Sequence, residues 1–234
     1  MRQKARKNRR HGKRIVLTLL VLILTISVVL AVANQTVLQD FLHFNASVAS
    51  MEHGWNLILV NGEYKIPKDW KVELTELSNG QSVDSRIYPD LQQMFDDMRT
   101  QGVYPVVASG YRTAKKQQEL MDEKVNSFLA QGYSKSEAKS EAKKWVAGVG
   151  YSEHQTGLAV DINADGVNSS GQQVYAWLAD NAWKYGFILR YPEDKTEVTK
   201  TDYEPWHYRY VGKEAAKKIY ESGLCLEEYI GMMN

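Results

Sequence analysis

The longest apolar stretch of the chain comes near its start. Residues 15–33 read IVLTLLVLILTISVVLAVA, 19 residues without a charge. A helix of that length rises roughly 28 Å, close to the hydrocarbon thickness of a bilayer. The run is apolar on every face, unlike a surface helix. It also exceeds the ~7–15 apolar residues of a cleaved signal peptide. Residues 15–33 are therefore predicted to form one transmembrane helix, an uncleaved signal anchor. Residues 34–53 mix polar and apolar positions without a period and read as a stalk.

From residue 54 the pattern becomes that of a folded domain, 54–234. WNLILVNGEY predicts a short apolar strand and a turn at Asn61-Gly62. Leu91, Met94, Phe95 and Met98 recur at i, i+3, i+4 and i+7, predicting a helix stopped by Gly102. VYPVVASGYR predicts a strand running into a turn. Two helical patterns follow, 113–131 and 134–147, each closed by a glycine, and Ser134 with Glu137 makes a capping-box pair. LAVDI predicts a strand with Val160 and Ile162 on one face and Asp161 on the other. Val174, Trp177, Leu178 and Tyr185 mark a helix over 172–186, FILRYP and WHYRYVG predict strands, and KEAAKKIYESG predicts a closing helix. Helices and strands without regular βα alternation point to an α+β fold, a small mixed or antiparallel sheet flanked by helices.

Charge changes this picture at one end only. Residues 1–14 hold eight Lys or Arg and no acid, which leaves 21 basic and 28 acidic residues in the rest. A basic run alone would suit nucleic acid. Beside an apolar span it reads as topology: a cytoplasmic tail, with the domain on the far side of the membrane. No nucleic-acid partner is expected, and contact with anionic lipid is a by-product. The single cysteine, Cys225, excludes an intramolecular disulfide, a thiolate zinc site and a redox pair. It is expected to be a buried structural thiol.

The candidate chemistry lies in three stretches. SEHQTGLAVDI carries His154 and Asp161 seven positions apart. EPWHYRY adds His207, with Glu204 three residues before it. In an extended WHYRY, His207 and Arg209 share a face and would point into one cavity, backed by Trp206, Tyr208 and Tyr210 on the other face. Two imidazoles, a carboxylate and one unliganded acid meet the needs of a catalytic zinc site, which keeps three protein ligands and one open position. Glu204 would then serve as general base and return the proton to the leaving amine. SGYR at 109–112 presents Arg112, a cation able to hold a carboxylate or steady an oxyanion. Each residue alone has a plainer reading: a turn histidine, a surface aspartate, a solvated acid, a surface ion pair. Their joint occurrence is harder to explain that way.

SGYRTAKKQ, SEHQTGLAVDI and EPWHYRYVG, in that order, resemble the three blocks of the VanY-like D-alanyl-D-alanine carboxypeptidases, within the LAS-type zinc peptidases of bacterial cell walls. Ser-x-His-x-x-Gly-x-Ala-x-Asp is complete from Ser152 to Asp161, and Glu-x-Trp-His from Glu204 to His207. NAWKYGFILRYP resembles the family's connecting segment, so the likeness extends over residues 55–223. The resemblance implies one zinc ion held by His154, Asp161 and His207, with Glu204 as general base. It implies that Arg112 meets the scissile carbonyl or a substrate carboxylate, and that Gln117 and Ser152 line the peptide site. For Gln117 a solvated helix face is as good a reading, and for Ser152 a turn hydroxyl bonded to its own backbone. Trp206 and Tyr208 are expected to support the metal shell by packing.

The implied function is that of a membrane-anchored zinc D,D-carboxypeptidase removing the terminal D-alanine of peptidoglycan stem peptides. An L,D-carboxypeptidase that trims tetrapeptide stems needs the same metal machinery, and these residues do not separate the two. A non-catalytic wall-binding module would be favoured by a missing ligand or a missing Glu204, and none is missing. The expected partners are stem peptides and the cytoplasmic membrane, with oligomeric state left open.

Overall fold

The computed structural model describes residues 47–233. The basic tail, the apolar run at 15–33 and most of the expected stalk lie outside the described residues. Two-residue strands β1 (Ser47–Val48) and β2 (Tyr64–Lys65) pair in parallel. An antiparallel hairpin follows, β3 (Leu74–Glu76) with β4 (Ser82–Asp84). Then come α1 (Tyr88–Thr100), β5 (Pro105–Ser109), α2 (Ala114–Ala130), α3 (Lys135–Ala142), β6 (Ala159–Ala164) and α4 (Gly171–Asn181). The chain closes with β7 (Phe187–Leu189), α5 (Thr196–Thr199), β8 (His207–Tyr210), α6 (Lys213–Ser222) and α7 (Leu226–Gly231). The central sheet has the order β5-β6-β8-β7, antiparallel throughout. The fold is α+β, as the mixed pattern predicts.

One face of this sheet is apolar. Val160, Ile162 and Tyr208 pack under α1 and α4 against Leu91, Met94, Met98, Val174 and Leu178, all buried. Burying each such side chain contributes about 1.5–3 kcal/mol, so the stripe read from the sequence is the main tie between helices and sheet. Ile188, Val211, Ala216, Ile219 and Leu226 form a second cluster that fastens α6 and α7 to β7. Local signals set the helix starts. Thr113 caps α2 by accepting from the Lys116 amide, and Ser134 with Glu137 closes the expected capping box.

Three expectations change. WNLILV is not a strand: Trp55–Leu57 form a 3-10 turn, and the carbonyls of Asn56 and Ile58 accept hydrogen bonds from the Arg209 guanidinium instead of a neighbouring strand. The helix expected to reach residue 147 stops at Ala142 and turns, which frees the Ala147 carbonyl to accept from Gln117 Nε2 at 2.7 Å. The helix expected over 172–186 ends at Asn181 and tightens into a 3-10 turn over Ala182–Tyr185. The hairpin β3–β4 and helix α7 carry no strong sequence pattern and were not anticipated.

Candidate active site

Register builds the site on the other face of the sheet. Asp161 pairs with His207 across β6 and β8, so their side chains project together, and Ser109 on β5 pairs with Asp161 from the other side. His154 reaches the same point from the 3-10 turn Glu153–Thr156. Gly157 ends that turn at φ +78°, and a Cβ there would sit 2.9 Å from Val72. Glu-Pro-Trp-His is a β-turn: the His207 amide donates to the Glu204 carbonyl at 3.1 Å, with Pro205 at the second position. This folds Glu204 back over His207, its Oε2 lying 3.6 Å from Nδ1.

One donor atom each from His154, Asp161 and His207 lies within 4.8 Å of the others. Nε2 of His154 is 3.4 Å from Asp161 Oδ2, and Nδ1 of His207 is 3.1 Å from Asp161 Oδ1. Yet the buried Oδ1 makes no hydrogen bond among the described residues. These atoms converge on a point between them, which is what a metal ion requires. Orientation is fixed from behind. His154 Nδ1 meets the Gly110 carbonyl at 2.8 Å, which leaves Nε2 as the ligand atom. Tyr191 packs its ring against His207, centroids 4.9 Å apart.

The electrostatics follow from burial and crowding. Burial lowers the His154 pKa, against the pull of Asp161. For His207, burial is outweighed by the two carboxylates beside its ring, Asp161 and Glu153, and its pKa is pushed up to about 9. The two imidazoles in turn hold Asp161 well below the carboxylate range despite its burial. Glu204 moves the opposite way, raised chiefly by burial and also by Asp161, against His207 and Arg112.

The remaining residues expected at the site divide. Arg112 is there: Nη2 donates to Asp161 Oδ2 and Nε to Ser109 Oγ, both at 2.9 Å. Gln117 is buried, not on a solvated helix face, with Oε1 lacking a partner among the described residues. Ser152 is buried beside the same cleft. The cleft has a volume of about 340 Å³ and is lined by Arg112, Gln117, Ser152, His154, Asp161, Glu204 and His207, with Trp145, Lys200 and Trp206 around them. Trp206 is partly exposed on this lining instead of packed around the metal site, and Tyr208 lies in the core on the opposite face.

Arg209 does not enter the cleft. It shares the His207 face, as alternation requires, but is fully buried and turned to Glu153 and to backbone carbonyls. Glu153 itself was missed by sequence reasoning, since an acid in a turn reads as solvated. The available signal was a pair of arginines in apolar and aromatic surroundings, Arg190 just after β7 and Arg209 on β8, which needed a buried counter-charge.

The VanY D-alanyl-D-alanine carboxypeptidase family model matches residues 80–213. A D-alanyl-D-alanine carboxypeptidase of Enterococcus faecalis is 62% identical over 179 residues, which cover 76% of this chain and 67% of that protein. The structure is similar to a variant of the vancomycin resistance D,D-pentapeptidase VanY in complex with Zn(II), at 61% identity and a TM-score of 0.73. That match covers 75% of this chain and 99% of the other. It is also similar to VanYB in complex with D-alanine-D-alanine, at 60% identity and a TM-score of 0.75, covering 77% and 99% of the two chains. The chain belongs to the VanY D-alanyl-D-alanine carboxypeptidase family.

Proposed function

We propose that the chain is a zinc D,D-carboxypeptidase hydrolysing the terminal D-alanine of peptidoglycan stem peptides. The observation that carries this reading is the convergence of His154, Asp161 and His207 donors beside an unliganded Glu204. The D-alanyl-D-alanine complex of a 60% identical relative supports the substrate, and the Zn(II) complex of another supports the metal. The L,D alternative has no comparable support.

His154 Nε2, Asp161 and His207 Nδ1 would hold the metal. Zinc bound there supplies Lewis-acid polarisation of a carbonyl and makes water more acidic. Glu204, its pKa raised by burial, accepts a proton from the attacking water as the water oxygen bonds to the scissile carbonyl carbon. When the C–N bond breaks, Glu204 returns that proton to the amine of the departing D-alanine. Arg112 lies on the cleft wall beside Asp161, where its remaining donors hold the substrate carbonyl or carboxylate. Gln117 and Ser152 line the peptide path.

The reading includes a cytoplasmic N-terminus, an anchor at 15–33 and an extracytoplasmic domain. Its support is the sequence alone, the eight basic residues followed by 19 uncharged ones. Among the described residues no helix is long and apolar enough to cross a membrane. Removing residues 1–33 is expected to release the protein from isolated membranes, and retention of the shortened chain there would refute the anchor.

The test of function supplies the zinc-loaded chain with muramyl pentapeptide and muramyl tetrapeptide separately, and follows free D-alanine by mass spectrometry. Release from pentapeptide alone is expected. Release from tetrapeptide alone moves the assignment to L,D-carboxypeptidase, and cleavage of neither by folded, metal-bound protein ends the carboxypeptidase reading.

A further inference from the structure

Behind the candidate metal ligands lies a buried ionic cluster that the reaction does not use directly. Glu153, adjacent to the ligand His154, is almost wholly buried. Its Oε1 accepts from Arg190 Nε and from Arg209 Nη1, each at 2.8 Å, and both arginines are fully buried. Its Oε2 has no hydrogen-bond partner among the described residues. The same holds for Nε2 of His207. These two atoms face each other at 3.5 Å.

A buried donor and a buried acceptor left unpaired are each destabilising, by about 1–3 kcal/mol, so two such atoms in mutual reach complete one another. We infer that Glu153 is a positioning residue. It accepts the Nε2–H of His207, sets that ring's tautomer and plane, and so aims Nδ1 at the metal. The arginines explain how a carboxylate can be spared for this task. With both guanidinium groups gathered on Oε1, Oε2 remains free for the imidazole. Arg209 is held in turn by the carbonyls of Asn56 and Ile58. Arg190 is held by Glu227 of α7 through two bonds of 2.8 and 2.7 Å, and Glu227 also accepts from Asn61. The frame that orients His207 therefore extends to the C-terminal helix, well away from the cleft.

The inference rests on the zinc reading of the site. Outer hydrogen-bond partners of ligating histidines typically alter metal affinity about 10–100-fold when removed. The test compares the full chain with Glu153→Gln, measuring zinc affinity by chelator competition and thermal stability without metal. An amide side chain keeps the volume of Glu153 but loses the anion that His207 needs. Zinc affinity is expected to fall by about 10–100-fold, beyond any loss of stability in the metal-free protein. A purely structural Glu153 would lower the melting temperature and leave zinc affinity within twofold of the original, which overturns the inference. If Glu153→Gln does not fold, the unmodified zinc-loaded chain decides by NMR. The His207 Nε2 proton is expected to exchange slowly with solvent, and exchange as fast as in an exposed histidine overturns the inference. Failure of the unmodified chain to bind zinc at all would overturn both this inference and the zinc reading, so the two failures are distinguishable.

Discussion

Gly110 joins the hairpin β3–β4 to the candidate metal site, and replacing it with alanine tests whether that close approach matters. A Cβ at this position would lie 2.2 Å from the Ser82 carbonyl oxygen, against 3.4 Å for the start of ordinary contact. About 1.2 Å must open between two backbone segments, with no flexible side chain to absorb it. The hairpin cannot simply withdraw. The same Ser82 oxygen accepts from the Tyr111 amide at 2.6 Å, and the Gly110 amide donates to Gln81 Oε1 at 3.1 Å. Overpacking of this kind costs about 1–3 kcal/mol, and losing one of those hydrogen bonds adds about 0.5–1.5 kcal/mol. At 2–4 °C per kcal/mol for a domain of this size, Gly110→Ala should melt about 5–15 °C lower. The carbonyl of Gly110 also orients His154, so zinc affinity should fall by about tenfold or more. Differential scanning calorimetry and chelator competition read the two effects separately. Gly231→Ala is the control, since its Cβ would meet nothing within 4 Å. A Gly110→Ala protein that melts and binds zinc like the control would refute both the steric argument and the orienting role of that carbonyl.

Other consequences can be checked as directly. Glu204→Gln should keep zinc affinity while lowering kcat by about 10²–10⁴-fold, because it removes a proton acceptor but no ligand; loss of zinc binding would show that Glu204 is a ligand. Arg190→Met leaves Glu227 uncompensated and Glu153 with one cation, and should cost about 3–5 kcal/mol in urea unfolding; a loss below about 1 kcal/mol would refute the importance of the buried cluster. The Tyr185 hydroxyl donates to Asp97 at 2.6 Å, and burial with that carboxylate pushes its pKa up to about 12 from 10.0. Its stabilisation is fully present below pH 10 and disappears as pH rises through 12, so the stability advantage over Tyr185→Phe should shrink across that window, and a constant difference would contradict the assignment. Burial pushes the Cys225 thiol up to about 11, so it should resist alkylation at neutral pH until urea unfolds the chain; rapid labelling of the folded protein would show that it is accessible.

How much could be read without coordinates varied with the kind of signal. The donor set of His154, Asp161 and His207 was legible from its residue types and from the motif resemblance, and strand alternation turned Asp161 and His207 off the apolar face, where the register of β6 and β8 pairs them. Arg209 shows where such a rule runs out. Alternation put it on the correct face, but depth is not a property of one strand, and Glu153 drew it inward. The apolar run WNLILV reads as a short strand but has no strand to pair with, since Arg209 takes the carbonyls of Asn56 and Ile58. The hairpin β3–β4 was invisible because Leu74 and Glu76 are exposed, and only Val83 joins the core.

Each of the three candidate ligands has a partner outside the ligand set. His154 leans on the Gly110 carbonyl after β5, Asp161 on Arg112 before α2, and His207 faces Glu153 in the turn before β6. Gly110 and Arg112 share the loop between β5 and α2, and Glu153 directly precedes His154, so two short segments direct all three ligands. Ligands supported in this way lose less ordering entropy on binding a metal. The arrangement has an opposite side. Asp161 Oδ1 is a buried acceptor with no hydrogen-bond partner among the described residues, and a bound cation would satisfy it. Metal binding to the folded state alone stabilises it by RT ln(1 + [L]/Kd), about 2.7 kcal/mol at 100 times Kd. A preorganised centre of this kind thus makes the domain's stability depend on the same three side chains that serve its chemistry.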